Sequence, residues 1–128
     1  MPSAYNPAEH IPPPNELCPT LRVVYRGQQY DGQYRVYLTQ ELTKALGLRA
    51  GQAIDLVPPA GGRSRYWHLD LRPTAKRRVS WYADTRPRID SMKLPPRLVR
   101  PSKPLVLELM PGVPEYPGYY PLQPQQHA

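Results

Sequence analysis

The stretch YRVYLTQELTKALGLRAGQAIDLV, Tyr34 to Val57, constrains the fold of this chain more than any other. It opens as an alternating strand, with Tyr34, Val36 and Leu38 on one face and Arg35, Tyr37 and Thr39 on the other, because strand side chains repeat every two residues. Thr39 is a good N-cap, and Leu42, Ala45 and Leu46 follow it at helical spacing. Gly47 stands where a left-handed residue closes a helix, and Leu48 turns back to the core beyond it. Gly51 then leads into AIDLV, a second strand with Ile54 and Leu56 on one face. Strand, short helix and strand follow one another with no room for a larger helical layer.

The flanks continue in the same style. LRVVYRG (Leu21–Gly27) is a β-branched strand, and Asp31-Gly32 after it is a hairpin signal. PPAGGRS reads as a loop, and RYWHLDL (Arg65–Leu71) alternates with Trp67, Leu69 and Leu71 together. Beyond Pro73 the pattern returns in weaker form. KRRVSWYA is basic and strand-like, RIDSMKL (Arg88–Leu94) is a strand, and PPRLV takes the helix position, where its prolines allow one turn at most. KPLVLELMPG then matches QAIDLVPPAG, with Leu107-Glu108-Leu109 against Ile54-Asp55-Leu56. The two halves, 21–73 and 76–109, read as a duplication with a degenerate second copy; chance similarity between short strand pairs is the alternative.

Proline placement sets the expected ends of the folded region. Of 19 prolines, six fall in Met1–Thr20 and five in Met110–Ala128. Segments 1–20 and 110–128 therefore read as extended tails around a β-rich domain at 21–109.

Charge is concentrated as well. The net charge is +7, and Gly61–Lys103 holds twelve cations against Asp70, Asp84 and Asp90. A field of this kind favours a polyanionic partner, with a merely solubilising basic face as the alternative. Cys18 is the only cysteine, so no intrachain disulfide forms and a reducing compartment is expected. No apolar run approaches the roughly 20 residues of a membrane span, and the N-terminus lacks the pattern of a secretory signal. The expectation is a cytoplasmic protein away from membranes.

Leu21–Pro73 resembles the swapped-hairpin DNA-binding domains of AbrB-type regulators and of MazE- and SpoVT-type antitoxins. RVYLTQELTKALGLRAGQAIDLV supplies that family's strand, its helix ending Leu-Gly-Leu, its glycine turn and its exit strand, and RYWHLDLRP falls where the last strand belongs. Thr39 replaces the usual proline, and Ala50-Gly51-Gln52 replaces Pro-Gly-Asp. The resemblance implies half of a small β-barrel. It is completed by a homodimer or, with the second unit at Lys76–Leu109, by a single-chain pseudo-dimer. It also implies duplex DNA as partner, and a transcriptional regulator or antitoxin as function. Carried over by position, the DNA-binding residues are Arg22, Arg26 and Arg35, with Arg77, Arg78, Arg86 and Arg88 in the second copy. Arginine suits these roles because its planar fork grips phosphate and reads guanine edges. An antitoxin would further use the C-terminal tail, YPGYYPLQP (Tyr116–Pro124), to meet a toxin.

Lys76–Arg88 interleaves its cations with Trp81 and Tyr82, a pattern able to stack unpaired bases if those rings are exposed, or to fill the core if they are not. Tyr37 and Tyr66 read as half-buried strand residues. Nothing points to an enzyme. His10 and His127 lie in tails, and His68 and Asp70 share a strand face with no nucleophile placed beside them. One cysteine and three scattered histidines make no zinc site, and GGRS lacks the lysine and helix of a phosphate loop, so no metal or cofactor is expected. The rival reading is a non-enzymatic β-barrel interaction or scaffold module with an acidic protein partner.

Overall fold

The structure, a computed structural model, describes residues 19–60, 66–95, 97–100, 102–110 and 116–125. The proposed N-terminal tail up to residue 18, with His10 and Cys18, lies outside the described residues, as do the GGRS loop and His127. The elements are β1 (Thr20–Tyr25), β2 (Tyr34–Leu38), α1 (Gln40–Leu46), β3 (Ala53–Val57), β4 (Trp67–Asp70), β5 (Arg77–Arg78), β6 (Arg88–Met92), β7 (Leu105–Leu109) and β8 (Tyr119–Pro124).

The first half forms much as its residues dictate. Asp31 and Gly32 both take left-handed conformations (φ 56° and 66°) in the loop joining β1 to β2. A short 3-10 turn, Gln28–Tyr30, lengthens that loop beyond a two-residue hairpin. Tyr34, Val36 and Leu38 point into the core while Arg35 and Tyr37 stay half-exposed. The Thr39 hydroxyl accepts from the Leu42 amide and Gly47 closes α1 at φ 62°. One helical position departs from expectation. Ala45 is exposed and Thr43 is buried, its hydroxyl donating to the Thr39 carbonyl at 2.8 Å. A hydroxyl matched to a backbone acceptor can occupy the inner face without a desolvation penalty.

All pairings are antiparallel, and the eight strands lie in the order β5-β3-β4-β8-β7-β1-β2-β6. The two ends of that order meet, because Ser80 just after β5 exchanges backbone hydrogen bonds with Arg88 at the start of β6 (2.8 and 3.0 Å). The sheet is thus a nearly closed barrel, with one continuous core that includes Leu21, Val36, Ile54, Leu69, Ile89 and Leu122. Deep in it, the Tyr34 hydroxyl donates to the Val99 carbonyl at 2.8 Å. Burial holds that phenol's pKa above its ordinary value.

The register is two-fold. Leu56 faces Leu69 in the β3–β4 hairpin, and Leu109 faces Leu122 in the β7–β8 hairpin, each 53 positions after its counterpart. The same offset carries the pair Trp67–Leu122 onto Tyr120–Leu69 between β4 and β8. For the first strands the offset is 56. Val24 faces Arg35, and Ser80 faces Arg88. Likewise Leu21 faces Leu107, and Arg77 faces Ile54. The pseudo-two-fold axis passes between Val36 and Ile89, equivalent residues that face each other across β2 and β6. Hairpins of the two halves alternate around the barrel, so each half closes the other. The chain itself supplies the second unit that completes the sheet.

Two expectations need correction. The second half ends at Pro124 and not at Leu109, because β8 lies between β4 and β7 with Leu122 fully buried. Proline lacks the N–H of a central strand, yet both prolines of YYPLQP sit where little is lost. The Pro121 carbonyl accepts from Met110, just past the last β7–β8 pair, and Pro124 is the final residue of its strand. The segment Tyr116–Pro124 is therefore largely part of the barrel rather than a free tail. Second, the basic strand beginning at Lys76 is short. It contributes only Arg77–Arg78 and the Ser80 bridge, after which Trp81 and Tyr82 leave the sheet.

Candidate nucleic-acid interface

The arginines expected to contact DNA divide into those that face outward together and those that do not. Residues opposite one another on antiparallel strands share a face. Arg22 on β1 lies opposite Tyr37 on β2, which lies opposite Arg88 on β6. Val24, two positions from Arg22, lies opposite Arg35. Ser80 lies opposite Arg88, and Arg78 precedes Ser80 by two positions. Arg22, Arg35, Arg78 and Arg88 therefore stand on the outer face of four adjoining strands, β1, β2, β6 and the β5 segment. They are equivalent in pairs, Arg22 with Arg78 and Arg35 with Arg88, under the same two offsets that fix the register.

These four are not alike in freedom. Asp90 bridges the two arginines nearest the axis, with Arg35 Nε donating at 2.6 Å and Arg88 Nε at 3.2 Å. Both guanidinium-bearing side chains are held close to the sheet, at 18% and 19% exposure. Burial pushes the Asp90 carboxyl up, but the hydrogen bonds from Arg35 and Arg88 outweigh it and leave its pKa below the ordinary value. Arg35 also donates to the Tyr37 hydroxyl at 3.4 Å. Arg22 and Arg78, by contrast, are exposed.

The other three expected residues fall elsewhere. Arg77 is turned to β3, where its Nη1 donates to Asp55 at 3.0 Å, which removes it from the outward face. Its place is equivalent to that of buried Leu21, a position that faces the interior. Arg26 lies beyond β1 with its guanidinium 3.7 Å from the Tyr30 ring centre, and Arg86 is exposed in the 81–87 loop. Neither the Arg35–Asp90 contact nor the Arg77–Asp55 pairing was visible along the chain, since those partners lie 55 and 22 positions apart, whereas Arg88 and Asp90 share one face of β6 two positions apart. A signal existed all the same. Arg35-Val36-Tyr37 and Arg88-Ile89-Asp90 occupy equivalent positions, and the change from Tyr to Asp introduces one carboxylate beside two arginines.

A groove of about 950 Å³ adjoins this face. Its floor is Thr20, Arg22 and Val24 with Val106, and Tyr37 and Leu38 lead from the floor to α1. One wall is formed by Gln40, Thr43 and Lys44 of α1 with Thr39, and the other by Trp81, Thr85, Arg86 and Pro87. It contains three cations and no carboxylate. Trp81, one of the two aromatics left open between core and surface, is 39% exposed, and Tyr82 is 67% exposed. Lys44 was not singled out by sequence reasoning; its exposed position on α1 was the available hint.

On the opposite side of the barrel, His68 stacks on Tyr119 at 4.4 Å and Asp70 binds Arg72 through both carboxylate oxygens (2.9 and 3.1 Å). The Arg72 hydrogen bonds lower the Asp70 pKa despite partial burial. His68 and Asp70 thus have separate partners on that face. Among the described residues no cluster of His, Cys, Asp and Glu is placed to hold a metal ion, and no helix is long and apolar enough to cross a membrane. Comparisons by sequence and by structure match no family model, no curated protein and no solved structure.

Proposed function

We propose that this protein binds duplex DNA through the outer face of β1, β2, β6 and β5, as a single-chain pseudo-dimer acting in transcriptional regulation in the manner of AbrB- and MazE-type proteins. The observation that carries the reading is the placement of Arg22 and Arg78, and of Arg35 and Arg88, at positions equivalent under the pseudo-two-fold register. Duplex DNA has local two-fold symmetry of its own, and dimeric binders present paired contacts to it. Exposed Arg22 and Arg78 supply phosphate contacts, which position the protein and make binding salt-dependent. Arg35 and Arg88, held against the sheet near the axis by Asp90, lie between the exposed pair and reach the duplex where a guanidinium leaves that carboxylate. Arg26 and Arg86 extend the positive surface through flanking loops.

A toxin partner is not part of this reading, since Tyr119–Pro124 is occupied in the sheet. The test is fluorescence anisotropy of a labelled duplex with the intact chain and with the double variant Arg22→Ala/Arg78→Ala. Arg49→Ala serves as the control, an exposed cation carried on the turn after α1. Loss of affinity in the double variant with little change in the control supports the proposal. Equal losses, or no binding by the intact chain, refute it.

A further inference from the structure

The groove, lined by both halves, has no counterpart built the same way at the position related to it by the pseudo-two-fold register, although the strands beneath it do. The position equivalent to Trp81 is Tyr25, and that ring is folded down against Tyr34 at 5.2 Å with its hydroxyl accepting from Gln28. The segment equivalent to α1 is a single turn after Pro95. Only this groove, with α1 from the first half and Trp81 from the second, therefore combines a helical wall with an outward tryptophan. Two-fold duplex contact needs no such asymmetry, so the groove calls for a different explanation.

Its chemistry is specific enough to name a ligand class. Arg22 on the floor, Lys44 on one wall and Arg86 on the other surround the space with positive charge unopposed by any lining carboxylate. Trp81 offers a partly exposed indole face, and Tyr37 lies on the floor. Aromatic faces bordered by backbone-gripping cations are the arrangement by which proteins hold unpaired bases. A fully paired duplex cannot use it, because its bases are stacked on one another. We infer that the groove between α1 and the 81–87 loop binds single-stranded nucleic acid, stacking an unpaired base on Trp81 and holding the neighbouring phosphates with Arg22, Lys44 and Arg86. This goes beyond the duplex reading and does not depend on it, since Trp81 and Lys44 are absent from the arginine face and Arg78 is absent from the groove.

The experiment is a titration with oligothymidine of about ten nucleotides, within the 4–16 typical of such sites, read by tryptophan emission. Trp67 is only 3% exposed, so quenching on binding reports Trp81. The intact chain is expected to show saturable quenching. By anisotropy, Trp81→Ala should weaken binding about tenfold and Trp81→Phe should recover part of it, since stacking survives. Lys44→Ala and Arg86→Ala should each reduce the salt slope of single-strand binding by about 0.7. Arg78→Ala should leave single-strand affinity unchanged while lowering duplex affinity, which separates this proposal from the preceding one. Thermal unfolding of every variant establishes that it is folded. The inference is overturned if oligothymidine fails to quench the intact chain. It is equally overturned if a folded Trp81→Ala variant binds unchanged, or if an oligoglutamate of equal charge competes as well as oligothymidine.

Discussion

Replacing Asp90 by Asn separates the structural work of the arginine face from its binding work, because the two effects have opposite signs. Asp90 is 29% exposed and accepts from Arg35 at 2.6 Å and Arg88 at 3.2 Å. The neutral amide keeps one acceptor oxygen, so one guanidinium remains held and the other is released. Hydrogen bonds to charged groups contribute about 1.5–3 kcal/mol when sheltered, and partial exposure brings the expected loss of stability to about 1–2 kcal/mol. The face meanwhile gains a unit of positive charge. A released guanidinium that reaches a duplex phosphate steepens the slope of log affinity against log salt by about 0.9, which at about 50 mM salt corresponds to roughly 15-fold tighter binding relative to a 1 M reference. Urea unfolding measures the first quantity, and duplex anisotropy across a salt series measures the second. A variant that is less stable and binds DNA more tightly fits the account. If affinity falls together with stability, or the slope does not change, then Arg35 and Arg88 serve the sheet and not DNA.

Three other perturbations test the fold that presents this face. Truncation after Met110 removes β8, deprives β4 and β7 of a shared neighbour and uncovers the core that Leu122 closes. The shortened chain is expected to lose cooperative thermal unfolding, and retention of a sharp transition would contradict the placement of β8. Asp70 and Asp90 both have folded pKa values below the ordinary carboxylate value near 3.9, so their stabilisation is complete above that value and is lost as pH falls through the lower folded values. Urea midpoints should fall between pH 5 and pH 2, and a flatter profile is expected in Asp90→Asn; an unchanged profile in that variant would be inconsistent with the pairing. Gly118 adopts φ 79°, and an added Cβ there would lie 3.3 Å from Arg72 Cγ. Gly118→Ala should therefore cost about 1–2 kcal/mol from left-handed strain, with a neutral result in urea unfolding as the contrary outcome.

The first half was legible because its determinants are local. Thr39, Gly47 and the alternation through Tyr34, Val36 and Leu38 each specify conformation within a few residues. The duplicated strand pair Ile54-Asp55-Leu56 and Leu107-Glu108-Leu109 also pointed to the second half, and the structure places these triplets at equivalent positions. β8 was obscured because Pro121 and Pro124 argue against a strand, and their tolerance depends on where the neighbouring ladders end. That is a property of β4 and β7 and not of YYPLQP itself. The candidate site was legible in outline only. Alternation placed Arg22 and Arg35 on outer strand positions. The capture of Arg77 by Asp55, and of Arg35 by Asp90, depends on contacts between strands that local spacing does not specify. The groove is formed by α1 and a loop some 40 residues later, Lys44 and Trp81 through Pro87, so its unopposed charge emerges only once the barrel closes.

The most direct test of the central claim is the salt dependence of duplex affinity. Arg22, Arg26, Arg78 and Arg86 are the expected site residues without a carboxylate partner in the described structure. Four phosphate contacts predict a log–log slope of about −3.6, or roughly a 150-fold loss of affinity between 50 and 200 mM salt, and Arg22→Ala/Arg78→Ala should reduce the slope to about −1.8. A slope near zero, or one that the double variant leaves intact, would contradict a DNA-binding role for the paired arginines.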